Sequence, residues 1–169
     1  MDNTLKYILF VCIVLFSGCD TNKGPSLSDR FNVQIELSPW LTFDYHSRVL
    51  KLEFRKDDIL IDTVRFTQEE DVGIKRIFEK NHIALIEGEY RIGTPRMYPS
   101  DAILMKIYRD TRVISMFHCV PDYKGVNDIE KRIASFNKML MDIITEKEEY
   151  KKMVQESMDR QGKYHQYLF

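Results

Sequence analysis

The sequence is poor in the residues from which most enzyme sites are built. Its 169 residues include seven glycines, four histidines and three cysteines. None of them forms a phosphate-binding glycine loop, a GxSxG elbow, an HExxH zinc motif or a CxxC pair. This absence argues against nucleotide-dependent, serine-nucleophile, zinc and thiol-redox chemistry. We therefore expect no metal, no dissociable cofactor and a non-enzymatic role.

The chain also lacks an excess of one charge sign. Lysine and arginine number 25 against 26 aspartates and glutamates, which gives a net charge of −1. A nucleic-acid-binding protein neutralises phosphates with a concentrated excess of basic residues. We therefore expect no nucleic-acid partner. Apolar residues make up 44% and aromatic residues 12% of the chain, which is ample for a packed core and argues against disorder.

The N-terminal apolar run is short. Residues 7–16, YILFVCIVLF, number ten, whereas a helix that crosses a bilayer needs about 20 apolar residues. The run follows Lys6 and precedes the small residues Ser17 and Gly18, a layout typical of a secretory signal peptide with its cleavage site. We predict a signal peptide over residues 1–18. The alternative is a buried N-terminal strand or helix.

The residues that close this run, Phe16, Ser17, Gly18 and Cys19, resemble the lipobox of bacterial lipoproteins. The resemblance covers about the first 20 residues. It implies that Cys19 receives a diacylglyceryl group on its sulfur, becomes the mature N-terminus and is usually acylated on its amine too. Two or three acyl chains meet the condition for stable attachment, since one chain binds only marginally. The protein would then lie in the bacterial cell envelope, lipid-anchored to a membrane and facing the periplasm or the cell surface.

Processing leaves one domain's length of chain. Removing 18 of the 169 residues leaves 151, which suits a single domain. Residues 19–29 are polar and aperiodic after Cys19 and predict a flexible tether with a reach of about 15–20 Å. The domain is expected from residue 30 to residue 169. Because Cys12 leaves with the signal peptide and Cys19 carries lipid, Cys119 remains alone and no intramolecular disulfide can form.

Short alternating segments dominate the first half of this domain. Four of them predict an antiparallel meander with one wet face: FNVQIEL, LTFDY, LKLEF and ILIDTVRF. Thr67 and Glu70 then form a capping box, which predicts a helix that ends near Asn81. IALIEGEYRI is strand-like, and AILMKIYR and RVISMFHCV predict a hairpin around Asp110.

The last third of the chain predicts one long helix. Residues 126–158 contain no glycine or proline, and Asn127 with Glu130 offers an N-terminal cap. An apolar stripe up to Ile144 should lie on the sheet, and the helix should project past the core beyond Thr145. The predicted fold is α+β: an antiparallel sheet of about six or seven strands packed by this helix, with a shorter helix after the fourth strand.

Two constellations could carry chemistry. His118 and Cys119 are adjacent, but neighbouring residues of a strand point to opposite faces, so we expect no shared site and place Cys119 in the core. Carboxylates on or beside the strands could converge as a hydrolase pair, although their spacing does not distinguish such a pair from solvated charge. These acids are Asp44, Glu53, Asp62, Glu87 and Glu89.

The segment GTPRMYPS, residues 93–100, is the predicted recognition loop. Arg96, Met97 and Tyr98 are of types enriched in protein interfaces, and the two prolines lower the entropy cost of ordering the loop. We predict these three residues as partner-binding. The alternative is a stiff connection between strands.

The leading functional hypothesis is a lipid-anchored binding module for a protein at the cell envelope. One form of it is an immunity or inhibitor protein that neutralises an envelope toxin. The first alternative is an envelope hydrolase that uses carboxylates of the sheet. The second is a structural component of a surface assembly.

Overall fold

A computed structural model of the chain describes residues 25–27, 30–94 and 102–166. The predicted signal peptide, Cys19 and most of the tether lie outside the described residues. Leu27 is described, and only 2% of its surface is exposed because it packs into the hydrophobic core. The domain therefore includes Leu27, which the sequence placed in the tether.

The described residues form a seven-stranded sheet with the order β4-β3-β2-β1-β6-β7-β5, within the predicted range of six or seven strands. Phe31, Val33 and Ile35 of β1 are buried, and the residues between them are partly exposed. The α-helices pack on the buried face. The strands are β1 Phe31–Glu36, β2 Leu41–Asp44, β3 Val49–Arg55, β4 Asp58–Thr63, β5 Gly88–Ile92, β6 Ile103–Arg109 and β7 Arg112–Cys119.

The edge strand β5 departs from the predicted antiparallel arrangement. It pairs in parallel with β7, in a register that sets Ile92 beside Cys119, whereas the other pairings are antiparallel. The reason is topological: β6 occupies the free side of β1, and β7 forms a hairpin with β6. The remaining edge on that side belongs to β7, where β5 runs in the same direction.

The first helix, α1 (Gln68–Lys80), follows the fourth strand as predicted. Thr67 is the N-cap of this helix and forms the predicted capping box with Glu70, and Asn81 is its C-cap. The next segment differs from its predicted strand, because Ile83–Leu85 forms a 3-10 turn and β5 begins only at Gly88. His82, with φ at 48°, lies in the left-handed region and reverses the chain between helix and turn.

The predicted C-terminal helix is wrong in one respect: it is two helices, α2 (Asp128–Thr145) and α3 (Glu148–Gln166). Thr145 Oγ1 donates to the Met141 carbonyl at 2.8 Å, a back-bond that bends helices. Lys147 then donates to both carboxylate oxygens of Glu70 at 2.7 and 2.6 Å. The break therefore comes from a tertiary contact with the start of α1, and no glycine or proline is needed for it.

The helix α3 lies along the sheet and does not project past the core. Met153 and Ser157 are buried, Lys152 Nζ lies 3.8 Å from Asp62 Oδ2, and Arg160 pairs with Asp58. These contacts place α3 on β3 and β4. No helix within the described residues is long and apolar enough to cross a membrane.

Candidate functional site

A cleft of about 700 Å³ lies between α2 and one end of the sheet. We call it the α2 cleft. It lies where β5 and β7 end and β6 begins, and α2 forms its long side. The residues used below to describe it are Leu37, Ile92, Ile103, Cys119, Asp122, Lys124, Lys131, Ala134, Asn137, Lys138, Met141, Asp142 and Tyr150.

The floor of the cleft is apolar. Ile92 and Ile103 both lie beside Cys119 in the strand register, so three neighbouring strand ends present one continuous surface. The thiol of Cys119 is 1% exposed, and burial raises its pKa to about 12. It stays protonated at neutral pH, where the thiolate is the reactive form. The prediction of Cys119 as a core residue is confirmed.

His118 belongs to the opposite face of the sheet. Its Nε2 lies 3.2 Å from Glu89 Oε1 on β5, while the neighbouring Cys119 is buried beneath the α2 cleft. The two side chains do not meet. The expectation that they share no site is therefore confirmed.

One wall of the cleft is fixed to the start of α2. Gly125 has φ at +75°, and a Cβ there would lie 2.5 Å from the Lys131 backbone nitrogen. Val126 N donates to Glu130 Oε2 at 2.9 Å, and Glu130 N donates to Asn127 Oδ1 at 2.9 Å. The predicted cap at Asn127 is therefore confirmed. The same contacts hold this wall in place, so the cleft is preformed.

The rim of the cleft carries three lysines, Lys124, Lys131 and Lys138, and two aspartates, Asp122 and Asp142. Lys138 donates to both carboxylate oxygens of Asp142 at 2.9 and 2.8 Å, and these hydrogen bonds raise the pKa of Lys138 above its usual range. Lys124 and Lys131 form no ion pair with any residue that the structure describes. Two ammonium groups are thus left free to meet an anionic group at the mouth of the cleft.

Asn137 is the unusual residue of the site. It lies in the buried stripe of α2 at 6% exposure, and its Oδ1 has no hydrogen-bond partner among the described residues. More than nine in ten buried polar groups have a partner, and an unsatisfied one costs about 1–3 kcal/mol. The sequence analysis missed Asn137. The sequence did contain a signal for this residue, because Asn137 carries an amide between Ile133 and Leu140 in a stripe that is otherwise apolar.

The predicted partner-binding residues Arg96, Met97 and Tyr98 lie outside the described residues. The chain on either side of them is described, and both Ile92 and Ile103 line the α2 cleft. Gly93 is packed against the same wall, because a Cβ there would lie 3.0 Å from Tyr123 Cγ. The described residues on either side of this segment therefore lie at the cleft.

The acids singled out from the sequence have separate partners. Asn32 Nδ2 donates to Asp44 Oδ2 at 2.7 Å. Three of the remaining acids lie near a cation: Glu53 near Lys51, Asp62 near Lys152 and Glu87 near Arg109. Glu89 lies near the imidazole of His118. They belong to different parts of the sheet, and the α2 cleft is lined by none of them.

Two further shifted pKa values lie outside the cleft, where α1 meets the turn between β2 and β3. Burial works to raise the pKa of Asp71, but hydrogen bonds from Lys75, Tyr45 and Arg48 outweigh it and lower the pKa to about 2. Burial and the bond to Asp71 raise the pKa of Tyr45 to about 12. The Arg48 guanidinium stacks 4.0 Å from the Tyr45 ring centroid. This cluster ties helix to sheet.

Metal binding and relatedness complete the description of the site. Within the part of the chain that the structure describes, no group of three or more histidine, cysteine, aspartate or glutamate side chains is placed to hold a metal ion. No protein-family model, curated protein or solved structure matches the chain.

Proposed function

We propose that the chain is a lipid-anchored protein of the cell envelope that acts as a non-enzymatic binding module, and that its protein partner docks at the α2 cleft. The observation that carries this proposal is the cleft itself, with its apolar floor, fixed wall and free lysines. Ligand sites are typically concave and largely apolar, with a few converging polar groups. The α2 cleft fits that description in volume and in lining.

The groups in the cleft support binding better than catalysis. The Cys119 thiol is protonated at neutral pH because its pKa is about 12, and Lys138 is already bound to Asp142. A nucleophile needs a neighbouring base or a lowered pKa. A hydrophobic floor with lysines at its rim instead suits an apolar anchor with polar surroundings.

The position of the cleft is consistent with an anchor at Cys19. Arg30, just before β1, donates to Asp110 at 3.2 Å, whereas Leu37, just after β1, lines the cleft. The six residues of β1 span about 20 Å, so the anchored end and the cleft lie at opposite ends of the strand. The cleft would face away from the membrane and toward a partner.

Tethering to a membrane would favour binding by this domain. Residues 19–26, before the buried Leu27, would reach about 15 Å as a flexible chain. Confinement at a membrane raises the effective concentration of a binding module without any new contact. An immunity or inhibitor protein that meets a toxin at the envelope is one form of the proposal in which this gain would matter.

An envelope pull-down tests the proposal. The acylated chain is used as bait beside Cys19→Ala, the cleft variant Lys131→Glu and the control variant Lys56→Glu. Lys56 is an exposed lysine in the turn between β3 and β4. We expect one enriched protein with the wild type and with Lys56→Glu, and a loss of that protein with Lys131→Glu. If the wild type enriches no protein and the purified protein turns over cell-wall or glycan fragments, the hydrolase alternative would replace the proposal. Stoichiometric co-purification with outer-membrane proteins that survives Lys131→Glu would favour the structural alternative.

The anchor has a separate test. Metabolic labelling with a fatty-acid analogue should mark the wild type and leave Cys19→Ala unlabelled. Label on both proteins, or on neither, would remove the lipoprotein assignment. That result would leave the cleft unaffected, because the cleft is lined by residues from Leu37 onward.

A further inference from the structure

We propose that the edge strand β4 pairs with β4 of a second copy of this chain, so that two seven-stranded sheets join into one continuous sheet. The pairing is antiparallel, and Ile61 lies opposite Ile61 of the second copy on the two-fold axis. The inference is independent of the proposed function, because β4 is at one end of the strand order and the α2 cleft involves the strand ends of β5, β6 and β7.

The outer edge of β4 carries backbone groups that point away from the sheet. Val64 N donates to Arg48 O at 2.8 Å, and opposite residues of an antiparallel ladder alternate between bonded and unbonded pairs. By the register of β3 and β4, the alternate residues Ile59, Ile61 and Thr63 direct their N–H and C=O groups away from β3. Within the described part of the chain, no strand lies on that side of β4.

The side chains at this edge are apolar, whereas edge strands are commonly protected by charge. Ile59 is 39% and Ile61 is 66% exposed, on the face of the sheet that carries no helix. The other edge strand, β5, has Glu89 and Arg91 at its exposed positions. Charged side chains hinder the pairing of an edge with another strand, so β5 is protected in a way that β4 is not.

Charge selects one register for the pairing of β4 with itself. With Ile61 opposite Ile61, Ile59 lies opposite Thr63 of the second copy, while Asp58 and Asp62 each lie opposite an apolar residue. A shift of two residues in one direction would set Asp58 opposite Asp62. The same shift in the other direction would set Asp62 opposite Asp62. Like charges directly opposite each other destabilise a strand pair, so the register centred on Ile61 is favoured.

The same register brings opposite charges together at both ends of the contact. Asp57, in the turn before β4, lies opposite Arg65 of the second copy, just after β4. Both residues are exposed, and neither forms an ion pair with any residue that the structure describes. The two-fold axis repeats this contact, so complementary charges flank the isoleucines on both sides. Because β4 complements itself in this way, the occupant we infer is a second copy.

The contact is small and the dimer is therefore weak in dilute solution. Ile61 would exchange two backbone hydrogen bonds with its copy, and each Ile59 N–H would meet a Thr63 carbonyl. Thr63 N would remain bonded to Asp62 Oδ1, at 2.8 Å. One pair of edge strands buries less area than a standard stable interface, but confinement of both copies at a membrane would raise the population of the dimer.

Pairing would also change how the domain sits on a membrane. The two β1 strands would run in opposite directions, so the two anchored N-terminal ends would lie at opposite ends of the joined sheet. Both anchors reach one membrane when the strands lie along its surface. The α2 clefts, which face away from the membrane in the single chain, would then open at the two ends of the dimer.

Cysteine cross-linking tests the register, with the acylated chain in phosphatidylcholine vesicles under mild oxidation. Ile61→Cys should form a disulfide-linked dimer, because opposite Cα atoms of a bonded pair are about 5.5 Å apart, within the range of a disulfide. Ile59→Cys should not, because Ile59 of the second copy lies about 13 Å along the strand, whereas Ile59→Cys with Thr63→Cys should. The wild type is the control, since Cys119 is 1% exposed. Cross-linking of Ile59→Cys as strong as that of Ile61→Cys would overturn the proposal.

Sedimentation equilibrium of the full chain in a density-matched detergent tests the forces. Arg65→Glu should raise the dissociation constant of the dimer about tenfold, because two weak ion pairs become repulsive, and Asp57→Arg with Arg65→Glu should restore it. Ile61→Lys should raise it by at least about tenfold, because it places like charges opposite each other on the axis. The control Val113→Lys, at an apolar residue of β7 that is 44% exposed, should change it less than about twofold.

Three results would overturn the proposal: a monomer at every concentration, a dimer that Ile61→Lys leaves intact, or assemblies longer than a dimer. Circular dichroism checks the folding of each variant. If Ile61→Lys fails to fold, the charge reversal at Arg65 and its rescue at Asp57 still decide the outcome. The proposed function is tested separately, because the pull-down variant Lys131→Glu lies in the α2 cleft and outside this contact.

Discussion

Replacing Asn137 by leucine should make the protein more stable. The Oδ1 atom of Asn137 is buried without a partner among the described residues, and such a group costs about 1–3 kcal/mol. Leucine has the same branching and the same number of side-chain heavy atoms as asparagine, and it adds apolar contact with the floor. We expect the free energy of unfolding to rise by about 1–2 kcal/mol, or Tm by about 2–8 °C for a domain of this length.

Asn127→Leu is the matched control, because it makes the same chemical change at an asparagine that is hydrogen-bonded. Asn127 Oδ1 caps α2 by accepting from Glu130 N at 2.9 Å, and loss of such a cap costs about 1 kcal/mol. Urea unfolding followed by circular dichroism should therefore give opposite signs for the two variants at an unchanged m-value. A loss of stability at Asn137→Leu equal to that at Asn127→Leu would refute the reasoning, because it would show that the Asn137 amide is already satisfied.

Three further predictions concern the framework around the cleft. Gly125→Ala should lower the free energy of unfolding by about 2 kcal/mol or more, measured by urea unfolding, because the new methyl group would collide with the backbone of α2 at a positive φ. Lys147→Met should lower the free energy of unfolding by about 1–2 kcal/mol in the same assay, because it leaves the carboxylate of Glu70 without the cation that bonds both its oxygens. The control Lys151→Met, at an exposed ion pair, should lower it by less than about 0.5 kcal/mol. Equal losses would contradict the tertiary origin of the helix break. Asp71→Asn tests how stability depends on pH in the acid range. The pKa of Asp71 is lowered to about 2 in the folded protein, so its stabilisation is present above about pH 4 and is lost as the pH falls toward 2. The variant should be less stable than the wild type at neutral pH and should lose less stability on acidification, and parallel stability curves for the two proteins would contradict this.

Local patterns predicted much of the secondary structure. The alternation of β1 and the capping residues Thr67 and Asn127 depend on neighbours within a few positions, and the structure contains them where the sequence placed them. Such signals need no knowledge of the rest of the chain. They predicted an α+β domain with the correct range of strands.

Features set by distant residues could not be predicted in this way. The break before α3 depends on Lys147 and Glu70, which are 77 positions apart, and the parallel pairing of β5 depends on which sheet edge the β6–β7 hairpin leaves open. Asn137 is the clearest case. Its place in the apolar stripe was visible, but whether its oxygen finds a partner depends on every element packed around it.

The burial of Leu27 has a mechanical consequence. A pull on the chain N-terminal to Leu27 would enter the fold through β1, a central strand whose ladders with β2 and β6 flank it on both sides. Force along that strand loads both sets of backbone hydrogen bonds in shear, so that many must yield together, whereas force on an edge hairpin would open them one at a time. The domain should therefore resist a force applied at its N-terminal end, because that force acts on a central strand.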